Sequence, residues 1–331
     1  MFRTLVIAAA VLVGAASVND PLFPQQWALT GIHGIHPDAE WPGIVPEKPI
    51  VIALIDSGVD LRHPDLAGVF WQNPGEIPGN GIDDDQNGYI DDKYGWNFLE
   101  STNKITPDHH GTYVAGILAA DTNNKIGIAG TAGMRGMVQL MVLQVLQENA
   151  GGSVSDILAA LRYAWDNGAD LINLSLGVTG SNAILEQALA RSAIPVIRSA
   201  GNQGRAIPVF PGELVLTVAN LQADGSLHAT SNYGVGVDLA APGTEILTTE
   251  SGGGYRSCTG TSMAAPMVTA AAARLLARAP TLTPTQLCML LRESTVDGAL
   301  NLHRACKLLN AQAGQKRVIV SARPVFFTYP A

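Results

Sequence analysis

Apolar residues in this chain fall into two spacings that alternate along it. Unbroken runs such as Ile50 to Ile55, β-branched and followed by Asp56-Ser57-Gly58, predict strands buried on both faces. Gln139 to Leu146, Leu171 to Leu174, Pro195 to Ile197, Leu214 to Val218 and Val237 to Leu239 read the same way. Helical spacing predicts helices over His110 to Ala120, Ser153 to Asn167, Ala183 to Ser192, Ser262 to Ala279 and Thr283 to Arg292. Pro284 suits a first turn, where its missing N–H has no helical partner. Alternating strands and helices predict an α/β fold, a mostly parallel sheet with helices on both faces. No linker, repeat or low-complexity stretch interrupts residues 18–310, so one domain is expected there. Residues 73–98, rich in Gly, Pro, Asp and Asn, read as an inserted loop.

The ends read differently. Residues 1–17 carry one Arg, an apolar run from Leu5 to Val13 and then Gly14, Ala15 and Ala16, the layout of a signal peptide. That run is too short to span a bilayer, so no membrane association is expected after cleavage, and the protein is expected to be secreted or periplasmic. In an oxidising compartment Cys258, Cys288 and Cys306 leave one odd thiol, with Cys288 and Cys306 the favoured pair; three packed thiols are the alternative. Residues 311–331 read as a C-terminal tail.

Composition narrows the partners. Hydrophobic residues make up 47% and charged residues 15%, which excludes a disordered or coiled-coil chain. The net charge of −8 argues against nucleic acid.

Three local signals carry chemistry. Asp56 ends an apolar strand in D-S-G, the ligand-facing edge of a parallel sheet. His110 opens a helix in H-G-T, with Gly111 allowing close backbone approach and Ala115 and Gly116 allowing the helix to pack on the sheet. Ser262 lies in G-T-S-M-A-A-P before an Ala-rich helix, whose N-terminus favours a developing oxyanion. A serine becomes a nucleophile when a His takes its proton and a carboxylate orients that His. Each alone is an ordinary cap or turn residue.

D-S-G, H-G-T and G-T-S-M-A-A-P in that order resemble the subtilisin-like serine proteases, over about residues 19 to 309. The resemblance implies a three-layer α/β/α domain and an exported endopeptidase acting on proteins or peptides through an acyl-enzyme on Ser262. Ser199-Ala200-Gly201-Asn202 is similar to the family segment whose Asn donates to the oxyanion, which gives that role to Asn202. Leu174-Ser175-Leu176-Gly177 resembles the strand that pairs with the substrate backbone, and Ala200 and Gly201 resemble the opposite wall of the specificity pocket. A catalytically silent peptide-binding relative is the alternative. An α/β-hydrolase is disfavoured by the residue order and the absence of G-x-S-x-G around Ser262.

Asp83, Asp85, Asn87 and Gly88 match the first half of a D-x-[DN]-x-[DN]-G calcium loop, with Tyr94 where such a loop carries its last acid. Asp91 or Asp92 would then complete a Ca2+ site, and the carboxylates of Asp83, Asp84, Asp85, Asp91 and Asp92 repel one another without a cation. A second candidate pairs Asp65 with Asn124. Asn19-Asp20-Pro21-Leu22-Phe23 followed by Gln26-Trp27 resembles the start of the family's mature catalytic domain; against the family pattern, only a few residues separate Ala16 from it, Tyr113 replaces a second His, and Arg198 stands where a small apolar residue is usual.

Overall fold

A computed structural model describes residues 18–35, 46–133, 135–147, 151–176 and 182–313. The expected signal peptide and residues 314–331 lie outside the described residues. After a short helix α1 (Trp27–Thr30) come β1 (Ile50–Ser57), β2 (Gly95–Asn97), α2 (His109–Ala119), β3 (Val138–Gln147), β4 (Gly151–Gly152), α3 (Val154–Asp166), β5 (Leu171–Leu174), α4 (Ala183–Ala190), β6 (Val196–Ser199), β7 (Val215–Leu221) and β8 (Leu239–Pro242). A hairpin of β9 (Ile246–Glu250) and β10 (Gly254–Cys258) precedes α5 (Thr261–Arg278), α6 (Pro284–Glu293), β11 (Thr295–Val296), β12 (Ala299–Leu300) and α7 (Leu302–Ala313).

One sheet runs β11-β12-β8-β7-β6-β5-β1-β3-β2, with β4 added to β3. Every pairing is parallel except β11 with β12 and β3 with β4. The apolar runs are unbroken because both faces are covered. On β1, Ile52 and Leu54 enter one core while Ala53 and Ile55 enter the other, and β3 repeats the division with Leu140 and Val142 against Met141 and Leu143. Residues of α2, α5, α6 and α7 close the first core, and residues of α3 and α4 close the second. This is the expected three-layer α/β/α fold. At α6, Thr283 and Gln286 cap one another reciprocally and Pro284 occupies the first turn.

The structure corrects four expectations. The region 73–98 is not loop throughout: Gly95–Asn97 joins the sheet, Trp96 and Phe98 are buried, and Tyr89 packs edge-on against Trp96, Phe98 and Tyr163. Helix α7 crosses the expected tail boundary at 311, with Leu302, Ala305, Cys306 and Leu309 buried along one stripe. The Cys288–Cys306 bridge is not made; both are buried thiols in the first core, and Cys258 is a half-buried thiol on β10. Finally, strand β8 starts at Leu239, where Val237 was expected. Among the described residues no helix is long and apolar enough to cross a membrane.

Candidate active site

The strand order reverses at β1, with β3 and β2 on one side and β5 to β8 on the other. In open α/β sheets the crevice beyond the carboxyl ends of strands at such a point is where ligands bind. Asp56 lies on β1 at that edge, fully buried, and Ser175 follows β5, whose Leu174 is the register partner of Ile55. Helix α2 brings His110 to Asp56, with Nδ1 2.6 Å from Oδ1. That oxygen also accepts from the Ser57 N–H at 2.7 Å. A carboxylate only accepts, so Nδ1 carries the proton and Nε2 is left as the basic nitrogen. Asp56 Oδ2 is buried with no hydrogen-bond partner among the described residues.

The start of α2 is locked to the end of β1. Asp108, the N-cap, accepts from the His110 N–H at 3.1 Å and from the Ser57 hydroxyl at 2.7 Å, and Ser57 Oγ accepts from the Gly111 N–H at 2.8 Å. A Cβ at Gly111 would sit 2.5 Å from the carbonyl oxygens of both Ser57 and Gly58, so only glycine permits this contact. Gly116 serves a different neighbour than expected: it packs on the β9 hairpin, where a Cβ would meet Thr249 Oγ1 at 2.2 Å. Tyr113 reaches Glu250 on the same hairpin.

Ser262 is the second residue of α5. Its hydroxyl donates to the Ser175 carbonyl at 3.1 Å, and the Ser175 hydroxyl donates to the Ser262 carbonyl at 3.1 Å. Pro266 explains the second bond. It stands four residues on and has no N–H, so the Ser262 carbonyl lacks its helical donor and takes one from Ser175. Asn173 donates to Ser175 Oγ at 3.0 Å and accepts from Thr269 of α5 at 2.8 Å, which ties β5 to the serine helix. Asn202 Oδ1 accepts from the Thr261 N–H at 2.9 Å and from the Thr261 hydroxyl at 3.0 Å. With its oxygen so held, the Asn202 amide has Nδ2 as its donor end.

A cavity of about 360 Å³ opens beside this edge. Leu176, Ala200 and Gly201 line it, while Ser175 bears on Ser262 and Gly177 lies outside the described residues. Arg198 also lines it, with its guanidinium 4.2 Å from the centre of the Phe210 ring.

The inserted loop gathers carboxylates. Oxygens of Glu76, Asp83 and Asp85 lie within 4.8 Å of one another and could hold a metal ion. Oxygen donors in an acidic cluster suit a hard cation. Glu76 was not anticipated; it sits seven residues before the motif, and no sequence signal ties it there. Asp91 is outside this group and accepts from the N–H groups of Gly79, Asn80 and Gly81. Asp92 is fully buried, held by Asn73, Asn87 and Tyr163. Asn87 donates to both Asp85 and Asp92. Asp84 accepts from Ile77 N–H and Asn80. The second candidate pair does meet: Asn124 Nδ2 donates to Asp65 at 2.7 Å, while Ile128 N–H and Tyr255 OH take the other oxygen. Burial pushes the Asp65 carboxyl above its usual range.

Comparisons with known proteins point to one family. The sequence model of the Subtilase family matches residues 47–315. Thermitase from Thermoactinomyces vulgaris is 35% identical over 265 residues, covering 78% of this chain and 84% of thermitase. Halolysin from Haloferax mediterranei is 34% identical over 293 residues, 86% of this chain, which spans about half (52%) of halolysin's length. A solved protease from Pseudoalteromonas arctica is 26% identical with a TM-score of 0.67, over 88% of this chain and 99% of that one.

Proposed function

The chain belongs to the subtilase family, and on that premise we propose that it is an exported serine endopeptidase acting on proteins and peptides. The observation that carries the proposal is the 2.6 Å bond between Asp56 and His110 at the same sheet edge where Ser175 holds Ser262. In the reaction the Ser262 hydroxyl turns from the Ser175 carbonyl and attacks the scissile carbonyl carbon while His110 Nε2 takes its proton. The carbonyl electron pair moves to oxygen, where Asn202 Nδ2 and the Ser262 N–H stabilise it. Collapse breaks the C–N bond, His110 gives its proton to the leaving amine, and water then releases the acyl group by the same steps in reverse. Asp56 keeps the imidazole oriented and balances its positive charge.

Leu176, Gly177, Ala200 and Gly201 would border the substrate. Glu76, Asp83 and Asp85 would hold a structural Ca2+, which supplies charge neutralisation to the insertion and takes no part in bond breaking. The N-terminal layout of residues 1–17 supports export.

Ser262→Ala tests the assignment. Casein hydrolysis and labelling by a fluorophosphonate should both disappear while circular dichroism and melting temperature stay as in the parent. Hydrolysis retained by a folded Ser262→Ala protein would overturn it.

A further inference from the structure

Arg198 and Thr217 are register partners on β6 and β7, and both line the cavity walled by Leu174 and Leu176, the neighbours of the Ser175 that holds Ser262. Most of the other lining is apolar or neutral, including Leu174, Leu176, Leu185, Leu189, Ile207 and Phe210. Among the described residues, two polar groups at its wall have no hydrogen-bond or ion-pair partner. The Arg198 guanidinium makes no ion pair within 4.0 Å among the described residues and rests only on the Phe210 ring. The Thr217 hydroxyl is buried with no hydrogen-bond partner. Burial lowers the Arg198 pKa from the usual arginine range, with the carboxylates of Glu186 and Asp238 offsetting it only in part and from beyond ion-pair distance. Glu186 and Arg205 also line the cavity, so its charged groups sum to one excess positive charge.

We propose that this cavity accepts an acidic side chain of the substrate, the residue on the acyl side of the cleaved bond, with Arg198 and Thr217 donating to its carboxylate. The inference rests on the protease reading and deepens it. A guanidinium fork matches a carboxylate in two-point geometry, which neither a leucine nor an amide side chain can use as well. The Arg198 guanidinium carbon sits over the Phe210 ring, 4.2 Å from its centre, a contact that uses the ring face and consumes none of the guanidinium's N–H donors. The cavity as a whole is one in which an apolar wall excludes water and a few polar groups set the preference. A pocket built to hydrogen-bond a charged group discriminates strongly against ligands lacking it, because the buried donors are then left unpaired.

The test uses matched fluorogenic tetrapeptides that differ only in the residue before the scissile bond: Glu, Gln, Leu, Phe or Ala. The purified protein should cleave the Glu peptide with kcat/KM at least about tenfold above the Gln peptide. Arg198→Met, which keeps volume and removes charge, should bring that ratio to one or below and raise cleavage after Leu. Thr217→Val, nearly isosteric, should lower the Glu to Gln ratio several-fold while Arg198 remains. Ratios within one variant cancel any loss of folded protein. Cleavage after Leu, Phe or Ala with Glu refused would overturn the inference and leave the protease reading standing. An unchanged Glu to Gln ratio in Arg198→Met would also overturn it. Failure to cleave any of the five, with no fluorophosphonate label, would overturn both.

Discussion

Asn202 shows how little freedom a functional side chain has at this site. An amide can be turned over with almost no change in shape, and its two ends do opposite chemistry. Thr261 removes that choice, because its N–H and hydroxyl both give protons to Oδ1 and its oxygen accepts from Gly201 N–H in turn. Asn202→Leu should lower kcat by about 10²- to 10³-fold with KM little changed, a range itself measured on a subtilisin. Thr261→Val should cost about tenfold, the worth of one hydrogen bond. If Thr261 acts through Asn202, the double variant should be no worse than Asn202→Leu alone; additive losses in the steady-state kinetics would refute that. Asp56, His110, Ser262 and Asn202 could be singled out as candidates because each sits in a short motif. Thr261 stands inside one of those motifs, yet its part depends on contact with a residue 59 positions earlier. Pro266 is different, since a proline four residues after Ser262 already announces an orphan carbonyl.

Helix α2 carries two glycines that answer to different neighbours, and this makes an element-level prediction. Gly111 touches the β1 end beside His110, whereas Gly116, about a turn and a half further on, touches the hairpin. A methyl at Gly111 must push the first turn off Ser57 and Gly58, and a displacement near 1 Å at a catalytic base costs about 100-fold. Gly111→Ala should therefore lose about that factor in kcat. Gly116→Ala should lower the melting temperature, with a smaller effect on kcat of the folded fraction. Equal losses of kcat in both would mean that α2 shifts as one rigid rod. The same contrast marks what the sequence disclosed about elements. Strands β1, β3 and β5 were legible because burial on both faces leaves an unbroken apolar run. Helix α7 was missed although Leu302, Ala305, Cys306 and Leu309 keep helical spacing. The β9–β10 hairpin was missed too, although Gly252-Gly253 is a turn signal, with both residues at positive φ. Strand β2 was hidden because it is three residues long and follows a polar loop, and its partner β3 lies more than forty positions on.

At the scale of the molecule the insertion poses an electrostatic problem. Glu76, Asp83 and Asp85 converge within 4.8 Å on a chain already at −8, and Asp84, Asp91 and Asp92 lie close in sequence. Backbone N–H groups and the amides of Asn73 and Asn87 absorb part of this charge. The base of the insertion is fixed to the second core through Tyr89, Trp96, Phe98 and Tyr163, and through the bond from Tyr163 to Asp92. The insertion is continuous with β2, which pairs with β3, which pairs with the strand that carries Asp56. A cation bound only by the folded state would stabilise it by about 2.7 kcal/mol when present at 100 times its dissociation constant. Removing calcium with a chelator should lower the melting temperature, and Glu76→Gln should shrink that shift. Salt gives the decisive control, because screening weakens repulsion between exposed carboxylates without coordinating them. If sodium chloride at high concentration restores the melting temperature as fully as calcium does, the cluster is a screened acidic loop. If only calcium restores it, and Glu76→Gln abolishes the difference, then Glu76, Asp83 and Asp85 act together as ligands.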